Sequence, residues 1–408
     1  MSDVVAQGIK KTLAYKKQTA LGAHATGAGG QLLRRRTGTF NLTRETYEND
    51  EIVSHQQSTG ATAGMKRVAG TLDGLLSPKT YADFFAAALR KDMAATAAIT
   101  AAGLTIAAAV GNTGAWTVTR AAGSFLADGL KIGDVVRLSV GTLNAANADK
   151  NLLIVDLTAT VATVRPVNGV ALVPEGPITG CTVTVIGKKT WAPTTGHTDD
   201  WFTFEERQGD LGKSTLAVDV KTGTMNIGLP ATGNSTLGID FVGLDRKRSD
   251  TQVLTAPSAE TTTGVVGMVT GVVIVNGTPY TITGATVTID GGIGQGEAEA
   301  GTNVGTDVQR GRIKVSGQFT AKFRSTDLSV VYDEQTTISL LIVLPVDGTP
   351  TSPFITFIIP ALKLFGDSAD HGEKEIIRTY PFTAQLNGAG GTGKATENTI
   401  LSHQDSEA

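Results

Sequence analysis

The sequence reads Thr39-Phe40-Asn41-Leu42 and then Gly64-Met65-Lys66-Arg67-Val68-Ala69-Gly70-Thr71-Leu72, and a similar pair of segments occurs later in the chain. The later pair reads Thr286-Val287-Thr288-Ile289 and Gly311-Arg312-Ile313-Lys314-Val315-Ser316-Gly317-Gln318-Phe319. From 39 to 286 and from 64 to 311 the offset is the same, 247 residues. Two matches in one register indicate an internal duplication, and such repeats determine the architecture of a chain.

The composition favours a β protein with more than one domain. The chain has 408 residues, a length typical of two or three domains. Hydrophobic residues make up 40% of it, aromatic residues make up only 5%, and there are 49 glycines. Frequent Val and Thr beside many glycines are typical of strands joined by turns. We therefore predict a mainly β fold whose order depends on strand pairing rather than on aromatic packing.

Charge, cysteine content and hydropathy exclude several classes of protein. A net charge of −3 provides no basic field for nucleic acid or for an anionic membrane. Cys181 is the single cysteine, which excludes an intrachain disulfide and suits a reducing cytoplasm. The start Met1-Ser2-Asp3-Val4 lacks the apolar segment of a signal peptide, and no apolar run approaches the roughly 20 residues of a membrane helix. We expect synthesis in the cytoplasm without a signal peptide and no membrane insertion.

The first copy of the repeat predicts a strand, a long loop, a second strand and a helix. We assign this first module to residues 31–94 and 194–250, after a basic, Gly- and Ala-rich arm at 1–30. Ser77 is a good N-cap, and Pro78 suits the first helical position. The predicted helix has one apolar face, formed by Tyr81, Phe84, Phe85, Ala88 and Leu89.

A charged segment follows the first strand and is predicted to form the tip of a long hairpin. Its conspicuous residues are Arg44, Glu45, Tyr47, Glu48, Asp50 and Glu51. Long loops in compact domains are often functional. We predict that these six residues contact another molecule, and the alternative is an ordinary solvated loop.

The rest of the chain divides into an insert and a second module. Residues 95–193 have no counterpart in the second copy, so we predict an inserted, small β-barrel-like domain there. A Thr-, Ser- and Ala-rich linker at 251–264 leads to the second module at 265–387, and a polar, Gly-rich tail is predicted at 388–408. The second module has its own weaker helix after Ser325, with Leu328, Val331 and Tyr332 at helical spacing.

The sequence contains no convincing site for chemistry. The segment Gly388-Ala389-Gly390-Gly391-Thr392-Gly393-Lys394-Ala395 is close to a phosphate-binding loop, but Ala395 stands where a Mg²⁺-binding hydroxyl is needed. His197-Thr198-Asp199-Asp200 and Asp370-His371 could each hold an ion weakly, but no two of the five histidines have metal-ligand spacing. We therefore predict no enzymatic activity, no catalytic or metal-binding residue and no cofactor.

Several motifs, in the order in which they occur, resemble the tail tube proteins (major tail proteins) of bacteriophages with long, non-contractile tails. The motifs are Gly8-Ile9-Lys10-Lys11-Thr12-Leu13-Ala14-Tyr15-Lys16-Lys17-Gln18-Thr19, Leu33-Arg34-Arg35-Arg36, Tyr47-Glu48-Asn49-Asp50-Glu51-Ile52, Val68-Ala69-Gly70-Thr71-Leu72-Asp73-Gly74-Leu75-Leu76-Ser77-Pro78, Leu229-Pro230-Ala231-Thr232-Gly233 and Tyr380-Pro381-Phe382-Thr383-Ala384-Gln385. They span most of the chain outside the insert. The resemblance implies two tandem tail-tube-like β-sandwich or barrel modules, each with a short helix.

The resemblance also implies a function and partners. Tail tube proteins stack as rings whose joined sheets form the conduit for genome ejection, so the expected location is the virion tail. Expected partners are other copies of the chain, a tape-measure protein in the lumen, and tail terminator and distal tail proteins. Genomic DNA is expected to pass without specific binding, which requires a lumen without clusters of Lys and Arg. The charged hairpin would contact the next ring.

The duplication predicts the size of the ring. If one module per subunit builds a six-fold ring, two modules per chain build the same ring from three chains, so we favour a trimeric pseudo-hexamer over a true hexamer. The insert at 95–193 would lie outside the tube, because bulk in the lumen would block DNA.

Two other functions are compatible with the sequence. One is another ring component of the tail, such as a terminator or baseplate protein. The other is a carbohydrate-binding β adhesin, which would need exposed aromatic side chains, whereas this chain is poor in them.

Overall fold

The computed structural model describes residues 5–55, 57–370, 373 and 375–408, and it consists mainly of antiparallel strands. The prediction of a mainly β fold is confirmed. In the described part of the chain, no helix is long and apolar enough to cross a membrane.

The helices and strands occur in four groups along the chain. The first group contains β1 (Lys11–Lys17), β2 (Gln31–Leu32), β3 (Thr37–Glu48), β4 (Ala61–Leu75) and α1 (Ala82–Leu89). The insert contains β5 (Ile99–Ala101), β6 (Leu104–Ala108), β7 (Trp116–Arg120), β8 (Val135–Ser139), β9 (Leu152–Leu157), β10 (Val161–Pro166), β11 (Glu175–Ile178) and β12 (Cys181–Val185). The third group contains β13 (Lys188–Trp191), β14 (Phe202–Gln208), β15 (Lys213–Pro230), β16 (Thr236–Gly243) and β17 (Asp245–Ser249). The last group contains β18 (Val272–Val275), β19 (Thr278–Pro279), β20 (Ile282–Asp290), β21 (Ile293–Gln295), β22 (Val308–Arg310), β23 (Lys314–Lys322), α2 (Asp327–Asp333), β24 (Ile338–Pro345), β25 (Phe354–Leu364), β26 (Ser368–Ala369), β27 (Ile377–Ala384) and β28 (Ser402–Asp405).

The two copies of the repeat form hairpins with the same register. In β3–β4, Thr39 pairs with Thr71, and in β20–β23, Thr286 pairs with Gln318. All seven pairs formed by residues 37–43 recur 247 residues later. A one-residue slip would turn every side chain to the opposite face, so an identical register means that the same positions face the core in both hairpins.

The correspondence extends from the hairpins to whole modules. The first module has the strand order β1-β14-β15-β16-β4-β3, and the second has the order β18-β24-β25-β27-β23-β20. Phe241 pairs with Gly70 in the first module, and Phe382 pairs with Gly317 in the second. Both modules therefore have one topology, although residues 241 and 382 differ by only 141 positions because the insert lengthens the first module.

Aromatic rings concentrate in the core of the first module. Phe40 and Phe204 have ring centroids 4.5 Å apart, and Phe84 and Phe241 have centroids 5.4 Å apart. Phe202 and Tyr15 extend the same cluster. The expectation of a core independent of aromatic packing is therefore wrong for this module, because the few rings present collect in one place.

The first helix begins later than its sequence predicts. Ser77 donates a hydrogen bond to the Thr80 side chain, and Lys79 has a left-handed φ of 69°, so the chain turns before Tyr81 takes the N-cap position. A left-handed residue cannot continue a right-handed helix, which is why the Ser77–Pro78 start is wrong. The side chains of Tyr81, Phe84, Phe85 and Leu89 are buried, whereas Leu328 is the buried residue of α2.

The insert has its own core but packs on the second module. Its sheet has the strand order β11-β6-β7-β10-β9-β8-β12-β5. An apolar cluster joins Val135 and Leu153 of the insert to Leu341, Val343 and Phe354 of the second module. Alternate residues of β24 face the module core, so this strand is apolar throughout and is buried on both sides.

The predicted end of the insert and the predicted N-terminal arm need correction. Residues 188–191 form β13, which pairs with β28 of the main sheet, so the sheet of the insert ends at Val185. Residues 11–17 of the arm form β1, which lies between β2 and β14. Leu13 is buried there, and its burial orders the arm against its own chain.

The predicted C-terminal tail is also wrong, because residues 402–405 form a central strand. β28 lies between β13 and β25, and His403 packs between Phe85 and Phe357. The Gly-rich segment before β28 holds the insert, since the carbonyl oxygens of Gly391 and Lys394 accept hydrogen bonds from the Lys131 ammonium at 2.6 and 2.7 Å. The loop that looks like a phosphate-binding motif therefore presents acceptors to a cation.

The packing of the insert on the second module predicts that Leu341→Ala lowers the stability of the fold. Leu341 is 2% exposed between the insert and the second module. Its truncation leaves a cavity and should lower the free energy of unfolding by about 2–5 kcal/mol. Urea denaturation measures the change. Val110→Ala on the exposed surface of the insert is the control and should change the stability by less than about 0.5 kcal/mol. Equal stabilities of the two variants would contradict the interface.

The buried histidine predicts a pH dependence. Burial lowers the pKa of His403 from 6.5 to about 4. The pKa of His403 is lower in the folded state than in the unfolded state. The neutral histidine therefore makes its full contribution to the stability of the fold above pH 6.5, and this contribution is lost as the pH falls through 4. His403→Phe keeps the ring packing but cannot be protonated. Relative to this variant, the wild-type chain should lose about 2 kcal/mol of stability between pH 7 and pH 5.

Urea denaturation at the two pH values checks this difference. Asp405 titrates in the same range, since burial raises its pKa to about 6. It is present in both proteins, so its contribution cancels in the comparison. If the stabilities of wild type and His403→Phe changed equally between pH 7 and pH 5, the histidine would not be buried in its neutral form.

Candidate functional site

The two modules join through one pair of strands into a single half-barrel sheet. Residues Thr224–Pro230 of β15 pair with Gly284–Asp290 of β20. This junction makes a continuous antiparallel sheet with the order β3-β4-β16-β15-β20-β23-β27. β15 of the first module thus lies directly beside β20 of the second.

One face of this sheet covers the apolar core, and the opposite, concave face is polar. Alternation along each strand produces the two faces. The polar face carries Thr39, Asn41, Thr71, Asp73, Asn226, Asp240, Thr286, Thr288, Ser316, Gln318, Thr379 and Thr383. An open depression of about 780 Å³ lies over its middle, bounded in part by Asn226 and Thr288.

The charged residues at the middle of the polar face are Asp73 and Asp240, with the single Arg36 at the border of the depression, and lysines lie at the strand ends. Asp73 and Asp240 lie on neighbouring strands, and partial burial together with the charge of Asp73 raises the pKa of Asp240. Lys314 lies opposite Asp290 at one end, and Lys322 forms an ion pair with Glu375 at the other. The described middle of the face therefore offers no cluster of cations to a phosphate backbone.

The half-barrel has an open strand edge on each side. Within the described residues, β3 pairs with β4 alone, and β26 pairs with β27 alone. Unpaired N–H and C=O groups along an edge are ready to pair with another strand. The two edges belong to different modules, so the sheet can add a different surface at each side.

The predicted charged segment forms a projecting arm rather than a loop. β3 continues to Glu48, so the turn region is 49–60. Arg67 donates to Glu45 at 2.9 Å, and the Tyr47 hydroxyl donates to Glu45 at 3.0 Å. These bonds lower the pKa of Glu45, with the Arg67 bond as the largest cause, and the Glu45 bond raises the pKa of Tyr47.

The structure therefore separates the six predicted residues into two sets. Glu45 and Tyr47 interact with each other and with Arg67. The side chains of Arg44, Glu48, Asp50 and Glu51 are exposed. Ile52 is also fully exposed at the turn, which sequence reasoning did not single out.

The equivalent loop of the second module folds back instead of projecting. At Gly291-Gly292 the chain bends, with a φ of 58° at Gly292, and β21–β22 pack over the first module. Val308 and Ile293 cover Trp201 there. The glycine pair stands where the first module has Arg44-Glu45, and this difference in sequence was the available signal for the different paths.

The two aspartates of segment 197–200 are engaged with the chain's own cations, whereas His371 of the other candidate pair lies outside the described residues. Asp199 lies 2.9 Å from the Lys221 ammonium, and Asp200 lies 2.8 Å from that of Lys17. Lys221 also lies over the Trp201 ring. Among the described residues, no group of three or more His, Cys, Asp or Glu side chains could hold a metal ion.

A half-barrel with a polar concave face and an open edge on each side has the features of a protein that can pair with other strands through its edges. The chain belongs to the phage tail tube protein family, because that family's model matches residues 8–384. The resemblance seen in the sequence is confirmed. The family is one of structural proteins and places the chain in the virion tail. A search of curated proteins finds no match.

Proposed function

We propose that this protein forms closed rings of three chains, which stack into the tail tube through which the genome is ejected. The observation that carries the proposal is the β15–β20 junction, where one module already pairs with the next inside a single chain. A ring forms if the second module of each chain pairs in the same way with the first module of the next chain. Such head-to-tail contacts form a closed ring when the rotation from one chain to the next is a whole-number fraction of a full turn.

The internal symmetry specifies which strands would pair. Phe241 and Phe382 are equivalent, and their partners across the sheet are Thr222 and Leu364. Residues at the edge of β15 therefore correspond to residues 142 positions later in the second module, as residue 222 corresponds to residue 364. The hairpins correspond at 247 positions, so β20 is equivalent to β3.

When these two offsets are applied to the residue pairs of the internal junction, they predict which residues would pair between neighbouring chains. In the internal junction, Asn226 pairs with Thr288, and the two side chains are hydrogen-bonded at 3.0 Å. The equivalent residues at the open edges are Ser368 and Asn41. Gly366–Asp370 of one chain would then pair with Thr39–Thr43 of the next.

The positions of the polar face and of the insert indicate which side of the chain would face the lumen of the ring. The polar concave face would line the lumen, because a surface without clustered cations does not hold DNA by its phosphates. The insert packs on β24 and β25 from the side opposite the module core, so it would lie outside the tube. Thr203 and Glu205 are buried at the corresponding surface of the first module, where the N-terminal arm and the linker at 251–264 bind them.

The projecting arm would connect successive rings. Its turn carries exposed carboxylates and the exposed Ile52, and nothing in its own described chain covers them. A tape-measure protein in the lumen and terminator and distal proteins at the tube ends would complete the assembly. Genomic DNA would pass without specific binding.

A disulfide tests the proposed register. Asn41→Cys together with Ser368→Cys should cross-link neighbouring chains on oxidation, because the equivalent internal pair is in side-chain contact. Non-reducing electrophoresis should show dimers and trimers, with trimers as the largest product of single rings. Bands up to hexamers would contradict a three-chain ring, and so would six equivalent subunits in an image of the tube.

Thr39→Cys with Ser368→Cys is the matched control. Thr39 lies on the same face of the same strand but is displaced by two residues from Asn41, so its disulfide should form in much lower yield. Equal yields for the two cysteine pairs would contradict the register. Native Cys181 is buried and stays out of the reaction.

If the arm connects successive rings, its removal should prevent the stacking of rings without preventing their closure. Neutralising Glu48, Asp50 and Glu51 to their amides should leave cross-linked trimers unchanged and reduce sedimentable tubes about tenfold, which corresponds to about 1.4 kcal/mol. The control is Glu297→Gln with Glu299→Gln, on the equivalent loop that lies on its own chain. Tubes at the wild-type level would contradict a role for the arm between rings.

A further inference from the structure

The internal junction has a pair of glycines at one end. Gly223 lies at the bulge of β15, and Gly291 follows the last paired residue of β20. A β-carbon built on Gly291 would be 3.4 Å from the carbonyl oxygen of Gly223, so the two residues are neighbours across the junction. The fold-back of the second module's loop starts at this point.

The open edges have two large side chains at the equivalent positions. By the offsets of 142 and 247 residues, Gly223 corresponds to Phe365, and Gly291 corresponds to Arg44. Phe365 is 61% exposed. Its backbone N–H donates to the Pro381 carbonyl at 2.8 Å, which fixes the residue at the edge of the sheet.

Within the described residues, the Arg44 side chain has no polar partner and Phe365 is largely exposed. The neighbouring carboxylate Glu45 is bound to Arg67, and within the described residues no hydrogen bond or ion pair involves the Arg44 guanidinium. The exposed ring of Phe365 contrasts with Phe323, which has Arg378 over its face at 4.3 Å. An unpaired guanidinium and an uncovered aromatic face are the two components of a cation–π contact.

We propose that Phe365 of one chain packs against Arg44 of the neighbouring chain and so makes the junction between chains different from the junction inside a chain. The partner is a second copy of this protein, and the inference rests on the proposed ring. The contact occupies the place where the glycine pair lets the second module's loop bend back. Phe365 therefore keeps the neighbour's arm extended from the ring.

Phe365→Ala and Arg44→Ala test the contact. Each should raise the lowest concentration at which sedimentable assemblies form, by about threefold to tenfold, the range for an exposed to partly buried cation–π contact. The double variant should be no worse than the poorer single variant, since both remove one interaction. Phe365→Trp should retain assembly, and Val269→Ala, at an 80% exposed residue of the same module, should assemble like wild type.

The outcomes separate this inference from the proposed function. Wild-type assembly by Phe365→Ala, or fully additive losses in the double variant, would overturn the Phe365–Arg44 contact. The disulfide between Asn41→Cys and Ser368→Cys would still form in that case if the ring is correct. Loss of that disulfide in an otherwise wild-type chain would overturn the ring register itself, and with it the contact.

Discussion

The pairing of β15 with β20 determines how the two modules of this chain are arranged. It joins two modules of one topology into a single sheet, and it fixes their relative position through backbone hydrogen bonds along Thr224–Pro230. Because register determines which side chains face the core, this one pairing also aligns the polar faces of both modules. The continuous concave surface and the position of one open edge in each module follow from it.

The two modules share a topology but cover their outer surfaces differently. In the first module, Glu205 faces outward from β14 and accepts backbone hydrogen bonds from Val253 and Leu254 of the linker. At the corresponding surface of the second module, β24 presents Leu341 and Val343 to the insert. One surface is thus closed by hydrogen bonds and the other by apolar packing. Duplication has allowed the insert, although it interrupts the first module, to be held by the second.

Sequence patterns predicted much of this architecture, and their failures have identifiable physical causes. The offset of 247 residues predicted the hairpins because register and face are properties of alternating residues. The start of α1 was wrong because Lys79 adopts a left-handed conformation that its residue type does not signal. β28 was taken for a tail because it is polar, yet the Gln404 side chain is buried and bonds to Val135 and Ile186 of the insert. The surface edges were not predictable at all, since they depend on strand neighbours far apart in sequence.

The covalent link between the modules has a consequence for how a ring would nucleate. In a ring of three chains, every second junction is formed within a polypeptide, where the effective concentration of one strand for its partner is set by the linker rather than by protein in solution. Three encounters then close a ring that would otherwise need six. In such a ring, the β15–β20 junction would lower the order of the assembly reaction as well as shape its product, and ring formation would be less sensitive to dilution.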